Sequence, residues 1–159
     1  MIRNKHVFIT GGGSGIGRAI ALLFADEGAT VTITGRRSKV LEEVADKRAN
    51  ISAFQMDVSN EKEIVSVISQ AVSQFGPIQV CVANAGIAEG KKLQNTDLDF
   101  WQKIMRTNLD GTFLTIRESM KSMLDADWGR VIAISSIAGI KGLKAVSYTH
   151  LTLPTIYSV

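Results

Sequence analysis

Residues Val7–Gly17 read VFITGGGSGIG, an apolar run that ends in a cluster of glycines. The run Val7–Ile9 is typical of a short buried strand, and the residues from about Ile16 to Glu27 repeat apolar side chains at helical spacing. Glycine permits a tight turn and a close backbone approach to a pyrophosphate, and the N-terminus of the next helix offers free N–H groups to an anion. The order strand, glycine turn, helix is what anion binding at this turn requires.

The same alternation continues along the chain. Further apolar runs predict strands at Val31–Ile33, Ile51–Met56, Ile78–Ala83 and Val131–Ile134, and helical periodicity predicts helices at about 39–47, Glu61–Phe75 and Phe100–Met123. The helical faces predicted to be apolar are Ile16, Ile20, Leu23 and Phe24 in the first helix and Ile64, Val67, Ile68, Ala71 and Val72 in the third. Strands that alternate with helices indicate an α/β fold with a doubly wound parallel sheet, whose ligand binds at the carboxyl ends of the strands.

Composition excludes several classes of protein. Cys81 is the single cysteine among 159 residues, which excludes a disulfide scaffold or a cysteine-rich zinc site and fits a reducing compartment. The net charge is only +3 and the basic residues are scattered, so we expect no nucleic-acid partner. The apolar runs are strand-sized and no signal-peptide pattern precedes the first strand, so we expect no membrane partner and a cytoplasmic location.

Other polar motifs follow the predicted strands. Asp57-Val58 comes after the third strand, Asn84-Ala85-Gly86 after the fourth and Ser135-Ser136 after the fifth, while Asn108 interrupts an apolar helix. With the glycine spacing Gly11-x-x-x-Gly15-x-Gly17, these motifs make the chain from about residue 3 to about residue 144 resemble the short-chain dehydrogenase/reductase family, in its small single-domain form.

The resemblance implies a Rossmann-type sheet and an NAD(P)(H)-dependent oxidoreductase that interconverts a carbonyl and a secondary alcohol. Its substrate would be a small carbonyl compound or alcohol, no metal is implied, and the parent protein is expected to form homo-oligomers. The residues that the resemblance assigns to cofactor binding are Gly11, Gly13, Ser14, Gly15, Ile16, Gly17, Arg36, Asp57, Val58, Asn84, Ala85 and Gly86. It assigns Asn108 to a proton-relay water and Ser136 to the oxygen of the substrate.

Each assignment has a simpler alternative. Asp57 fits a carboxylate that accepts from an adenine amino group, but it also fits a turn cap. Taken alone, Asn108 is typical of a satisfied core amide and Ser136 of a plain strand-end serine. A non-catalytic dinucleotide sensor or scaffold on the same fold is the alternative to an enzyme.

The end of the second strand bears on the choice of cofactor. An acidic residue there would bind the ribose 2′-hydroxyl of NAD, whereas an arginine can accommodate the 2′-phosphate of NADP. The sequence reads Thr34-Gly35-Arg36-Arg37, without an acid. We therefore expect NADP(H) rather than NAD(H), with Arg36 the better candidate, although a solvated surface role fits either arginine.

The resemblance fails after the fifth strand. The family uses a Tyr followed four positions later by a Lys, which lowers the phenol pKa and binds the nicotinamide ribose. Here Tyr148 lies one residue too close to Ser136, and Thr152 stands where the Lys is expected. Pro154 would also interrupt the helix expected there.

We interpret the segment after Ala145 as translated sequencing adapter rather than as natural protein sequence. Residues Val146–Thr155 are what the DNA string GTC TCT TAT ACA CAT CTG ACG CTG CCG ACG encodes, and that string is the reverse complement of a common transposase-based sequencing adapter. The flanking bases of the adapter also fit Ala145 and the residues up to Val159. We interpret residues 1–145 as an incomplete NAD(P)-binding domain, residues 146–159 as a non-native tail, and Tyr148 as a chance mimic, and expect the chain as printed to be inactive.

Sequencing the source locus across the codon of Ala145 tests this interpretation. We expect the genomic frame to leave the printed sequence after that codon and to encode a Tyr-x-x-x-Lys pattern instead. An unbroken frame that encodes the same tail would make the chain a natural truncated homologue and overturn the adapter interpretation.

Overall fold

The computed structural model describes residues 2–139 and confirms the alternation of strands and helices. Tyr148, Thr152 and the boundary at residue 145 lie outside these residues. The elements are β1 His6–Thr10, α1 Gly15–Asp26, β2 Thr30–Gly35, α2 Ser38–Ala45, β3 Ile51–Gln55, α3 Glu61–Phe75, β4 Ile78–Ala83, α4 Leu98–Met105, a π-helical turn Arg106–Asp110, α5 Gly111–Asp125 and β5 Arg130–Ala133. Two short 3₁₀ turns, Leu93–Asn95 and Ile137–Gly139, complete the set.

The five strands form one parallel sheet in the order β3–β2–β1–β4–β5. The chain first builds outward from β1 to β3 and then returns to add β4 on the other side of β1. This reversal between β1 and β4 is the switch point at which doubly wound sheets bind ligands. The predicted Rossmann-type architecture is confirmed.

Helices cover both faces of the sheet and divide the core into two layers. Val7 and Ile9 of β1 face a layer that contains Leu41 and Val44 of α2, whereas Phe8 faces a layer that contains Ile64 of α3. All five residues of β1 are buried, because the strand is covered on both faces. For that reason the strand reads as a continuous apolar run rather than as an alternating one.

The predicted inward face of α3 is confirmed, whereas that of α1 is only half correct. In α1 the buried residues are Gly17, Ala21 and Ala25, while Ile16 and Leu23 are 60% and 63% exposed. Ile20 and Phe24 are only partly buried against the core. At Gly17, α1 approaches the backbone of the glycine turn too closely for a side chain. Hydrophobicity alone does not reveal such a close approach.

The sequence predicts one long helix at Phe100–Met123, and the chain is helical from Leu98 to Asp125, with a π-helical turn inside this stretch. The π-helical turn Arg106–Asp110 separates α4 from α5 and contains Asn108. π turns inside α-helices frequently mark functional positions, because the extra residue rotates the side chains out of the regular helical register. Apolar periodicity does not predict such a turn.

The outer strand β5 is exposed along its length. It pairs with β4 alone among the described strands, and all of its residues are exposed, including Val131 and Ile132. In the described range β5 is therefore an edge strand whose apolar side chains contact solvent. Between residues 2 and 139, no helix is both long and apolar enough to cross a membrane.

His6 links β1 to its neighbours through both ring nitrogens. Nδ1 lies 2.8 Å from the carbonyl oxygen of Gly76, and Nε2 lies 2.9 Å from the hydroxyl of Thr32. Burial lowers the pKa of His6, and this effect outweighs the opposing one of the bond to Gly76. The neutral ring can donate to the carbonyl through Nδ1 and accept from the hydroxyl through Nε2.

Candidate functional site

A cleft of about 270 Å³ opens at the carboxyl ends of β1 to β4, at the switch point of the sheet. The predicted site residues that line it are Gly11, Gly13, Ser14, Arg36, Asp57, Val58, Asn84, Ala85 and Gly86. They come from four separate loops, which the sheet order brings together. Gly15, Ile16, Gly17, Asn108 and Ser136 do not line this cleft.

Two features of the glycine turn require residues without a side chain. Gly11 and Gly15 have φ values of +68° and +51°, which side-chain-bearing residues rarely adopt. At Gly17 a Cβ atom would lie 2.5 Å from Nδ2 of Asn84 and would also overlap the carbonyl oxygen of Gly11. Gly17 therefore packs directly against the turn, and this packing leaves no room for a larger residue.

The N-terminal end of α1 adjoins the cleft through Ser14, which lines it. Ser14 is the N-cap residue, and its side chain makes no capping hydrogen bond to the helix. The first N–H groups of a helix have no partner within the helix, and they lie at the positive end of its dipole. With the glycine turn beside it, this end fits the pyrophosphate of a dinucleotide.

Asn84 joins the ends of β1 and β4. Its backbone N–H donates to the hydroxyl of Thr10 at 3.0 Å, and the N–H of Ala85 donates to the same hydroxyl at 3.0 Å. The Asn84 amide nitrogen donates to the carbonyl oxygens of Thr10 at 2.9 Å and Gly11 at 3.3 Å. The backbone and side chain of Asn84 thus tie the ends of two neighbouring strands together.

The carboxylate of Asp57 makes the contacts of a turn cap. The N–H and hydroxyl of Ser59 donate to Oδ1 at 2.9 and 2.8 Å. In the described part of the chain no hydrogen bond reaches Oδ2, so this oxygen can still accept from a ligand. The turn-cap and ligand-binding interpretations of Asp57 are therefore compatible.

Arg36 and Arg37 lie at the rim of the cleft, where both side chains are exposed. The backbone at Arg36 is held by Gln55, whose amide nitrogen donates to the Arg36 carbonyl oxygen at 3.1 Å. In the described range neither guanidinium forms an ion pair. Both are thus available to an anionic group at the end of β2.

Asn108 is paired with the loop that follows β4. Its Oδ1 accepts from the N–H of Ile87 at 2.9 Å, and its Nδ2 donates to the Ile87 carbonyl oxygen at 2.9 Å. Its amide is therefore satisfied, as the structural alternative expected, and it fixes a residue that lines the cleft. Within residues 2–139 Nδ2 makes no further hydrogen bond, so its second hydrogen can donate to a water molecule.

Ser136 lies beyond the end of β5, the last strand that the structure describes. Strand β5 ends at Ala133, and Ser136 lies in the exposed segment beyond it, outside the residues that line the cleft. Its hydroxyl oxygen accepts from the N–H of Ala138 at 3.2 Å. Its assignment to the substrate oxygen stays a prediction.

Several residues that line the cleft belong to none of the sequence motifs, among them Val40, Met56, Ile87 and Thr107. Met56 directly precedes the Asp57-Val58 motif, so strand-end position could have indicated it. Ile87 and Thr107 carry no such signal, because a contact between distant segments brings them to the cleft. The described residues contain no group of three His, Cys, Asp or Glu side chains that could hold a metal ion.

Comparison with known proteins agrees with the fold and the cleft. The family model described as short chain dehydrogenase matches residues 5–149. An uncharacterized oxidoreductase of Staphylococcus aureus strain MW2 is 30% identical over 161 aligned residues, which cover 100% of this chain and 70% of the relative. An uncharacterized oxidoreductase of Staphylococcus saprophyticus is 29% identical over 163 aligned residues, covering 99% of this chain and 70% of the relative.

The fold and these similarities define an oxidoreductase of the Rossmann type. The chain belongs to the short-chain dehydrogenase family. Membership implies dependence on a nicotinamide dinucleotide in general, and the glycine turn, the N-terminal end of α1 and the adjoining cleft fit such a ligand.

Substitution of Gly17 tests the close packing behind the glycine turn. In Gly17→Ala the new methyl group meets a backbone oxygen and Asn84, so we expect the free energy of unfolding to fall by about 3 kcal/mol. Gly15→Ala is the matched control: its Cβ meets no atom within 4 Å, and only its positive φ opposes the change, at about 1 kcal/mol. Urea denaturation measures both, and equal losses would contradict the role of packing at Gly17.

Proposed function

We propose that residues 1–145 are the cofactor-binding part of an NADP(H)-dependent oxidoreductase that interconverts a carbonyl group and a secondary alcohol. One observation carries the proposal: the glycine turn, Arg36, Asp57 and the loop after β4 line a single cleft at the switch point. A cleft with an adjoining helix N-terminus and no acid at the tip of β2 suits a phosphorylated dinucleotide. We also propose the cytoplasm as its location and homo-oligomers as the state of the parent protein.

The residues around the cleft would bind the dinucleotide in a defined direction. The turn Gly11–Gly17 and the first turn of α1 would hold the pyrophosphate. Arg36 would donate hydrogen bonds to the 2′-phosphate. Asp57 and Val58 would contact the adenine. The dinucleotide would then pass along the loop Asn84–Gly86, and its nicotinamide end would lie toward β5 and Asn108. This direction follows from the order of the loops around the cleft.

The chemistry would take place beside the end of β4. When bound, the nicotinamide supplies or accepts the hydride. Ser136 would donate a hydrogen bond to the carbonyl oxygen of the substrate and stabilise the charge that develops there. Asn108 would hold the loop at Ile87 in place and bind a relay water through its remaining amide hydrogen. We do not assign the role of proton donor to Tyr148, because Thr152 stands where the family has a Lys.

A second candidate is a non-catalytic dinucleotide sensor or scaffold. Such a protein needs the cofactor-binding motifs without the catalytic groups, and residues 1–145 contain those motifs. Asn108 favours the enzyme, since the family uses an asparagine at the matching position. The continuation of the gene separates the two candidates: a Tyr-x-x-x-Lys pattern supports the enzyme, and its absence supports the sensor.

The choice of cofactor can be tested on the 159-residue chain by titration with NADPH and NADH. We expect NADPH to bind more tightly, and Arg36→Ala to weaken NADPH binding about tenfold while leaving NADH unchanged, because only NADPH has a 2′-phosphate. Arg37→Ala is the matched control and should change NADPH binding less. Tighter binding of NADH by the wild type, or an equal loss for both cofactors in Arg36→Ala, would contradict the proposal.

The catalytic role of Ser136 can be tested in the product of the uninterrupted gene with NADPH and a panel of ketones. We expect Ser136→Ala to lower kcat/KM about a hundredfold without changing the NADPH dissociation constant, because the hydroxyl acts on the substrate oxygen. Ser135→Ala is the neighbouring control and should retain activity. Full activity in Ser136→Ala would refute this role, and failure of the wild type to reduce any ketone would favour the sensor.

A further inference from the structure

The loop between β3 and α3 forms one wall of the cleft, and internal hydrogen bonds set its shape. Ser59 donates twice to Oδ1 of Asp57, and the N–H of Asn60 donates to the carbonyl oxygen of Asp57 at 3.0 Å. These bonds lie within residues 57–60. They therefore define the turn itself, but they do not locate it relative to the rest of the cleft.

Packing against α5 fixes the loop from one side. A Cβ atom at Gly111 would lie 2.8 Å from the carbonyl oxygen of Val58 and 3.0 Å from its side chain. Val58 thus rests directly on the backbone at the start of α5, and its side chain is buried. This contact limits movement of the loop toward α5 only.

The carboxylate of Glu63 holds the loop from the side of α3. Its Oε2 accepts from the backbone N–H of Asp57 at 2.8 Å, and its Oε1 accepts from the side-chain amide of Asn60 at 2.8 Å. Glu63 lies in the first turn of α3 and is partly buried. One side chain thus joins both ends of the turn to the helix, through bonds that are stronger than those to a neutral acceptor.

We infer that Glu63 is a positioning residue for the adenine end of the cofactor. Its bridge to Asp57 and Asn60 holds the Asp57 carboxylate in the wall of the cleft before the ligand binds. Binding to a preorganised wall costs less ordering of the loop than binding to a mobile one. The inference rests on the proposed function, since it needs a dinucleotide whose adenine lies beside Asp57.

Glu63 also has a purely structural alternative. Asn60 is the N-cap of α3, where its Oδ1 accepts from the N–H groups of Lys62 and Glu63. Glu63 could merely support this cap. A capping role predicts a lower free energy of unfolding with unchanged ligand affinity of the folded protein. A positioning role predicts a selective loss of affinity for ligands that contain adenine.

Four variants of the product of the uninterrupted gene separate these roles. Glu63→Ala removes the bridge, Glu63→Gln retains an acceptor for the Asp57 N–H, and Glu63→Asp keeps the charge but shortens its reach. Glu61→Gln is the matched control, because it removes an acid from the same helical turn and its side chain pairs with Arg117 rather than with the loop. The ligands are NADPH, adenosine 2′,5′-bisphosphate and nicotinamide mononucleotide, and urea unfolding reports stability.

We expect Glu63→Ala and Glu63→Asp to weaken NADPH and the bisphosphate about tenfold and to leave the mononucleotide unchanged. Glu63→Gln and Glu61→Gln should remain within about threefold of wild type. If Glu63→Ala fails to fold, the ligand affinities of Glu63→Asp alone distinguish the positioning role from the capping role. Wild-type affinity for the bisphosphate in a folded Glu63→Ala or Glu63→Asp variant, or an equal loss of the mononucleotide, would overturn the positioning role alone. A wild type that binds neither NADPH nor NADH would overturn the proposed function as well.

Discussion

The contact of Gly17 with the glycine turn and Asn84 determines how closely α1 approaches the sheet, and the candidate site depends on this distance. A side chain at residue 17 would strike the carbonyl oxygen of Gly11 and the amide of Asn84. The same amide binds the carbonyl oxygens of Thr10 and Gly11 and so joins the ends of β1 and β4. A single missing Cβ thereby lets the helix end, the turn and two strand ends meet at the switch point.

The walls of the cleft are held by polar groups that are themselves paired. Asn108 fixes Ile87, Glu63 fixes Asp57, and Gln55 fixes the backbone at Arg36. Each of these bonds joins a loop to a neighbouring helix, strand or loop, which limits the freedom of that loop. A wall held in this way loses little conformational entropy when a ligand binds. The exposed guanidinium of Arg36 is different, since its final position depends on the ligand.

The sequence predicted the elements well where apolar periodicity reflects burial. The bounds of α3 and β4 agree with the prediction, because α3 has one apolar face and β4 is buried on both sides. Half of the α1 face and the π turn at Asn108 were not predicted correctly. Both depend on close contacts between distant backbone segments, and hydrophobic periodicity contains no information about such contacts.

By itself, the sequence determined the parallel α/β fold, the family and the residue types at the strand ends, because these follow from local periodicity and from motifs within short segments. Only the tertiary structure decided which of those residues share a cleft. It brought Ile87 and Thr107 into the wall, kept Asn108 behind it and left Ser136 beyond the end of β5. The physical reason is that backbone packing at Gly17 and Gly111, together with the length of the β4–β5 ladder, sets the distances between segments that lie far apart along the chain.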